Sequence, residues 1–328
     1  MSKNAVFFFT LLFFIIGSCS DQRVVKTLKL GHSLDTKHPV HLGMVRMAEL
    51  VEEKSAGKLK IQIYPSGQLG GERECLELLQ IGSLAMTKVS AAVLENFVPN
   101  FEVLGLPYLF RDDAHSYEVL DGPIGEDLLA QGEKFRFRGL CFYDAGARSF
   151  YTKERPVNEP KDIKGLKIRV MKSATAVNMV NALGGSPTPI SFGELYAALQ
   201  QGVVDGAENN PPSFYTSRHY EVCKFYSLDE HTMIPDVLLI SMEWWENLTE
   251  EEKIWVKSAA KESVSYEREV WAKSVEESLK AVAAAGVEII RPDKSKFEEK
   301  VMSIYESYKT QVEKYKLINQ IKSVGNEK

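Results

Sequence analysis

The chain has 328 residues, enough for two domains, and its 44% hydrophobic and 26% charged content is that of a folded globular protein. A net charge of −5 without a basic tract argues against nucleic acid as a partner. Beyond Cys19, only Cys75, Cys141 and Cys223 remain, without a C-x-x-C pair and in apolar neighbourhoods, which points to buried free thiols rather than a redox or catalytic centre.

Lys3 followed by an apolar stretch over 5–16 has the form of a secretion signal and is too short to span a bilayer. Ile16-Gly17-Ser18-Cys19 resembles a bacterial lipobox, so removal of 1–18, lipidation of Cys19 and a tether over 19–26 are expected. Residues 28–31 read as a first strand. His38-Pro39 opens an amphipathic helix to Val51 that Gly57 terminates, and 59–64 alternates as a second strand. Past the Pro65-Ser66-Gly67 turn, Gly70-Gly71-Glu72-Arg73 leads into a helix through Gln80, and 85–90 is a third strand. Helices over 114–120 and 124–134 and a core strand over 140–143 follow, and 147–152 crosses into a second domain.

The stretch 164–210 repeats the rhythm of the first part as strand, helix, strand, helix and strand, which predicts a second βαβαβ unit. Strands over 220–227 and 237–241 come next, the latter crossing back. Thr249 and the acids after it start a helical pattern that persists to Ala285, a span of about 50 Å. A coiled coil or two helices meeting at a small break are its alternatives. A strand over 287–290 and a closing helix over 297–321 complete the chain.

In such α/β units ligands bind at the carboxyl ends of the strands. Arg169, Asn209 and Asn210 fall at or near those ends, which makes a site for an anion with polar neighbours; a guanidinium grips a carboxylate through two parallel hydrogen bonds. Ser90 and His32 also lie near strand ends, and Asp236 lies near the second crossing beside the weaker candidate His231. Met171 and Phe192 offer an apolar wall. His38 and His41 share a helix face, but no third ligand accompanies them, so no metal is expected. There is no G-x-S-x-G elbow, Walker loop or G-x-G-x-x-G fingerprint, and no cofactor is expected.

The order KGLKIRV over 164–170, then PTPI, F-x-E-L-Y-x-A-L-Q-x-G-V-V-D-G-x-E-N over 187–209, closely resembles the DctP-type solute-binding proteins of TRAP transporters. The likeness extends to LKLGH over 28–32, YPSGQLGGERE over 64–74 and Leu106-Pro107-Tyr108, and covers roughly 26–320. It implies a two-domain α/β fold of the periplasmic-binding-protein kind, with a hinge cleft and a long helix spanning both domains. On that reading 27–146 with 236–273 forms one domain, and 147–235 with 274–322 the other. It implies that Arg169 binds a ligand carboxylate, that Arg148 supports it, that Glu72 accepts hydrogen bonds from ligand hydroxyls and that Asn209 is a further contact. Many relatives have proline where this chain has Asn210, a departure expected to add an amide donor and acceptor for the ligand.

The function implied is that of an extracytoplasmic, monomeric, non-catalytic protein. It captures a hexuronate or related sugar acid in the periplasm and delivers it to the membrane subunits of a TRAP permease. A dicarboxylate or keto acid is the alternative ligand. A sensor that presents the same pocket to a receptor, and an enzyme using Glu72 as base and Arg169 as substrate anchor, are the rival functions.

Overall fold

The computed structural model describes residues 25–325, so the expected signal segment and Cys19 lie outside the described residues. Eleven strands run through them: β1 (Lys26–Gly31), β2 (Leu59–Tyr64), β3 (Met86–Ser90), β4 (Phe137–Tyr143), β5 (Ala147–Thr152), β6 (Lys167–Val170), β7 (Ser186–Pro189), β8 (Gly206–Asn209), β9 (Phe225–Met233), β10 (Asp236–Ser241) and β11 (Glu288–Ile290). They form two sheets, ordered β2-β1-β3-β10-β4 and β11-β9-β5-β8-β6-β7. In the first, β1 is parallel to β2 and β3, whereas β10 runs antiparallel to β3 and β4. In the second, β6 is parallel to β7 and β8, and β5 is antiparallel to β8 and β9.

The fold is thus a two-domain α/β one, each lobe built on one sheet. The chain crosses between the lobes through Asp144–Gly146, linking β4 to β5, and through Ile234–Pro235, linking β9 to β10. Antiparallel β10 inserted into the first sheet is what brings the second crossing beside the first: Asp236 pairs with Ser90 on one side and Tyr143 on the other.

The third connection is the helix Glu250–Ala284, 35 residues without a break. Thr249 and Glu252 form a reciprocal capping box, three glutamates occupy the first turn and no glycine or proline interrupts it. It packs on the helix Pro39–Lys54 and on β4 of the first lobe, and on the helix Pro211–Thr216 of the second. Gly43 permits the close approach to Pro39–Lys54, since a Cβ there would lie 2.7 Å from Glu267 Cγ and 3.3 Å from Tyr143 Cε1. Among the described residues no helix is long and apolar enough to cross a membrane.

Three expectations are corrected. The closing helix is two, Ser295–Tyr308 and Val312–Ser323. Tyr305 Oη donates to Pro107 O and Tyr308 Oη to Glu102, which pins the end of the first helix. The chain then turns so that Ile318 and Ile321 reach the core. The strand expected over 220–227 begins at Phe225 and runs on to Met233, because Tyr220 belongs to a helical turn, His219–Glu221. The helix expected over 124–134 is Pro123–Ala130, followed by a separate turn, Glu133–Phe135, that ends with Arg136 at φ 69°.

Cys75, Cys141 and Cys223 are free and buried. Gly43→Ala should overpack the helix contact and destabilise the protein by about 1–3 kcal/mol. Urea unfolding read by circular dichroism checks this, and an unchanged midpoint would contradict the packing described.

Candidate functional site

A cleft of about 770 Å³, its open mouth included, lies between the lobes. Arg169, Arg148, Glu72, Asn209, Asn210, Ser90, Met171, Phe192 and Asp236 all line it. They converge because Arg169 and Asn209 sit at the carboxyl ends of parallel β6 and β8, Ser90 ends β3, Asp236 starts the inserted β10 and Glu72 opens the helix Glu72–Gln80.

Arg169 is 1% exposed. Its Nε donates to Ile190 O at 2.8 Å and its guanidinium lies 6.0 Å over the Phe192 ring, but Nη1 has no hydrogen-bond partner among the described residues. Burial, with Arg148 nearby, holds its pKa below the ordinary arginine value. A buried guanidinium in this state favours an anion that supplies the missing acceptors.

Arg148 is different. Its Nε donates to Glu208 Oε2 at 2.5 Å, its Nη2 to Glu208 Oε1 at 3.0 Å and to the Glu208 carbonyl at 2.8 Å, and its Nη1 to Asn209 Oδ1 at 2.7 Å. Burial opposes ionisation of Glu208, yet Arg148 pulls its pKa down to about 2. His231 Nδ1 is 2.7 Å from Asp229 Oδ2, and its Nε2 lies 3.6 Å from Glu208 Oε2. Burial lowers the His231 pKa, but Asp229 and then Glu208 outweigh it and hold it at about 9. Arg148 therefore aligns β8 and Asn209, whose Oδ1 accepts from Arg148 and from Asn210 N, while Asn209 itself lines the cleft.

Across the cleft, Lys88 is 2% exposed and bridges Glu72 Oε1 at 2.9 Å and Asp236 Oδ2 at 3.1 Å. Burial alone would lower its pKa, but Asp236 and Glu72 raise it. One ammonium between two carboxylates leaves this wall with a net negative charge. Glu72 Oε1 also accepts from Ser90 N at 3.3 Å, and Ser90 Oγ accepts from Ala92 N. The sequence reading missed Lys88; its partners are 16 and 148 residues away, and only complete burial of β3 would have marked it.

Two expectations change. His32 does not line the cleft: its Nδ1 accepts from Leu34 N at 3.1 Å, so Nε2–H donates to His41 Nδ1 at 3.0 Å, and burial pushes its pKa down to about 3. Asn210 lines the cleft, but its amide is engaged at both ends: Oδ1 caps the helix Pro211–Thr216 at Ser213 N, and Nδ2 donates to Ala145 O. One donor and one acceptor of that amide are therefore already held by the protein. Asn followed by Pro-Pro is a helix start, with proline in the first turn, and that signal was legible.

Two α/β lobes around a cleft with an unpaired buried guanidinium define a periplasmic-binding-protein-like solute receptor. Residues 30–311 match the bacterial extracellular solute-binding protein, family 7 (DctP), and the chain belongs to that family, as a TRAP-transporter solute-binding protein of the extracytoplasmic side. It is 41% identical over 305 residues to the uncharacterized protein YiiZ of Salmonella typhimurium, covering 91% of this chain and 92% of that protein. Among solved structures it resembles a TRAP periplasmic solute binding protein of Bradyrhizobium sp. in complex with α/β-D-galacturonate, with TM-score 0.89 and 39% identity over 91% of this chain and 100% of that one. It also resembles one of Anaerococcus prevotii with bound α/β-D-glucuronate, with TM-score 0.89 and 37% identity over 92% of this chain and 99% of that one.

The His231 pKa carries a pH signature. Because the folded value is raised, its stabilisation is fully present below about 6.5, the unfolded value, and is lost as pH rises through about 9. The melting temperature should therefore fall between these pH values, and His231→Asn should flatten that slope. Parallel slopes for both proteins would contradict the raised pKa.

Proposed function

We propose that this protein captures a hexuronate such as galacturonate or glucuronate and delivers it to a TRAP permease. The observation that carries this reading is Arg169, a buried guanidinium with an unpartnered Nη1 at the cleft. A ligand carboxylate completes its hydrogen bonds. The opposite end of the ligand meets Glu72 and Asp236, which accept from hydroxyls; a second carboxylate there would face net negative charge, a like-charge arrangement that costs several kcal/mol. That asymmetry favours a monoanionic sugar acid over a dicarboxylate, and the uronates named with the two solved relatives fit it.

Binding without chemistry is supported by the commitment of Glu72 to Lys88 and Ser90, which leaves this carboxylate no free role as a catalytic base. The lobes divide as 27–146 with 236–273 and 147–235 with 274–322, and they close about the two crossings. The protein acts as a monomer in the periplasm, tethered by a lipid on Cys19. Cys19→Ala should release or misprocess it; mass spectrometry of a native N-terminus beyond Cys19 without lipid would contradict the anchor.

Calorimetric titration tests the ligand. Galacturonate or glucuronate should bind more tightly than succinate. Arg169→Ala should lose about 2–5 kcal/mol, roughly 30-fold to several thousand-fold in affinity, with Arg169→Lys restoring only part of it. Asp236→Asn should narrow the gap to succinate. Tight succinate binding with no response to either uronate would overturn the assignment.

A further inference from the structure

His38 belongs to the first lobe and caps the helix Pro39–Lys54, yet its ring reaches the second lobe. Its Nδ1 accepts from Val40 N at 3.3 Å, which places the imidazole proton on Nε2, 3.1 Å from Ser213 Oγ. His38 is therefore the donor and Ser213 the acceptor. Both side chains are buried, at 1% and 3% exposure. A hydroxyl whose lone pair is taken in this way directs its own proton elsewhere, and among the described residues that proton has no protein acceptor. Ser213 lines the cleft.

The surrounding contacts fix both partners. Ser213 N donates to Asn210 Oδ1 at 2.8 Å, and Asn210 Nδ2 donates to Ala145 O in the first crossing at 2.9 Å. The His38 ring lies 5.7 Å from that of Trp271 on the long helix, and Trp271 in turn covers Gly146, where φ is +54° and a Cβ would come 2.9 Å from the indole. Burial, with the charge of Lys88, lowers the His38 pKa well below its ordinary value and keeps the ring neutral. The imidazole thus keeps one proton, and keeps it on the side of Ser213.

We propose that Ser213 donates a hydrogen bond to a carboxylate or ring oxygen of the bound acid, and that His38 of the opposite lobe is the positioning residue that aims it. The inference rests on reading the cleft as a sugar-acid site. The His38–Ser213 bond spans the lobes, so the donor is aligned only in the closed arrangement, and lobe closure and ligand contact become one event.

Titration of D-galacturonate into the full-length mature protein tests this with Ser213→Ala, His38→Ala, the double variant and His38→Gln. Ser213→Ala should weaken binding roughly two- to tenfold where the acceptor is the ring oxygen and roughly ten- to a hundredfold where it is the carboxylate. His38→Ala should weaken it too, the double variant should be no weaker than Ser213→Ala, and His38→Gln, which returns an amide donor, should recover part of the loss. If His38→Ala does not fold, Ser213→Ala and His38→Gln decide alone. Wild-type affinity in Ser213→Ala, or losses that multiply in the double variant, would overturn the proposal while leaving the uronate reading intact. Absence of uronate binding by the wild type would overturn that reading, and this inference with it.

Discussion

The arrangement depends on one constraint, a positive charge held in the interior with its hydrogen bonding incomplete. Arg169 has lost nearly all contact with solvent and keeps a backbone carbonyl and the Phe192 face as partners. Such a group destabilises the empty protein and is relieved by an anion of matching geometry. The other two buried cations of the cleft contrast with it. Arg148 is clamped by Glu208 and Asn209, and Lys88 by Glu72 and Asp236. Of these three buried cations only Arg169 lacks a carboxylate partner, and the polarity of the cleft, that cation toward the second sheet and acids toward the first, favours one direction for a ligand.

The connections give that polarity a mechanical consequence. Asp144 N donates to Glu267 Oε2 at 2.9 Å, and Trp271, four residues on, covers Gly146. The first crossing is thus braced along the long helix, one turn to the next. Asn210 ties the same crossing to the helix that follows β8. A ligand that draws the sheets together acts on a segment already coupled to both lobes, so binding and closure share one network of contacts.

Much of this was legible before the structure. The alternation around Arg169 placed it at a strand end, and the capped, proline-free run after Thr249 foretold the long helix. What stayed hidden was pairing across sequence distance. Lys88 lies in a stretch that reads as an ordinary strand, and nothing local says that an acid from a helix start and another from the second crossing will meet it. Arg148 was expected to support Arg169, and its pairing with Glu208 stayed hidden because Glu208 was read only as part of a motif. His32 looked like a pocket residue from its place after β1, and a neighbouring histidine on the next helix claimed it. Asn210 differs from these: its cap role is local, written in an asparagine followed by two prolines, and it lines the cleft as well.

The most direct test of the account is a crystal structure of the protein with D-galacturonate. The carboxylate should sit on Arg169 with Nη1 as one of its donors, and sugar hydroxyls should face Glu72 and Asp236. A ligand carboxylate placed at Lys88, or a sugar bound with Arg169 Nη1 still unpartnered, would contradict it.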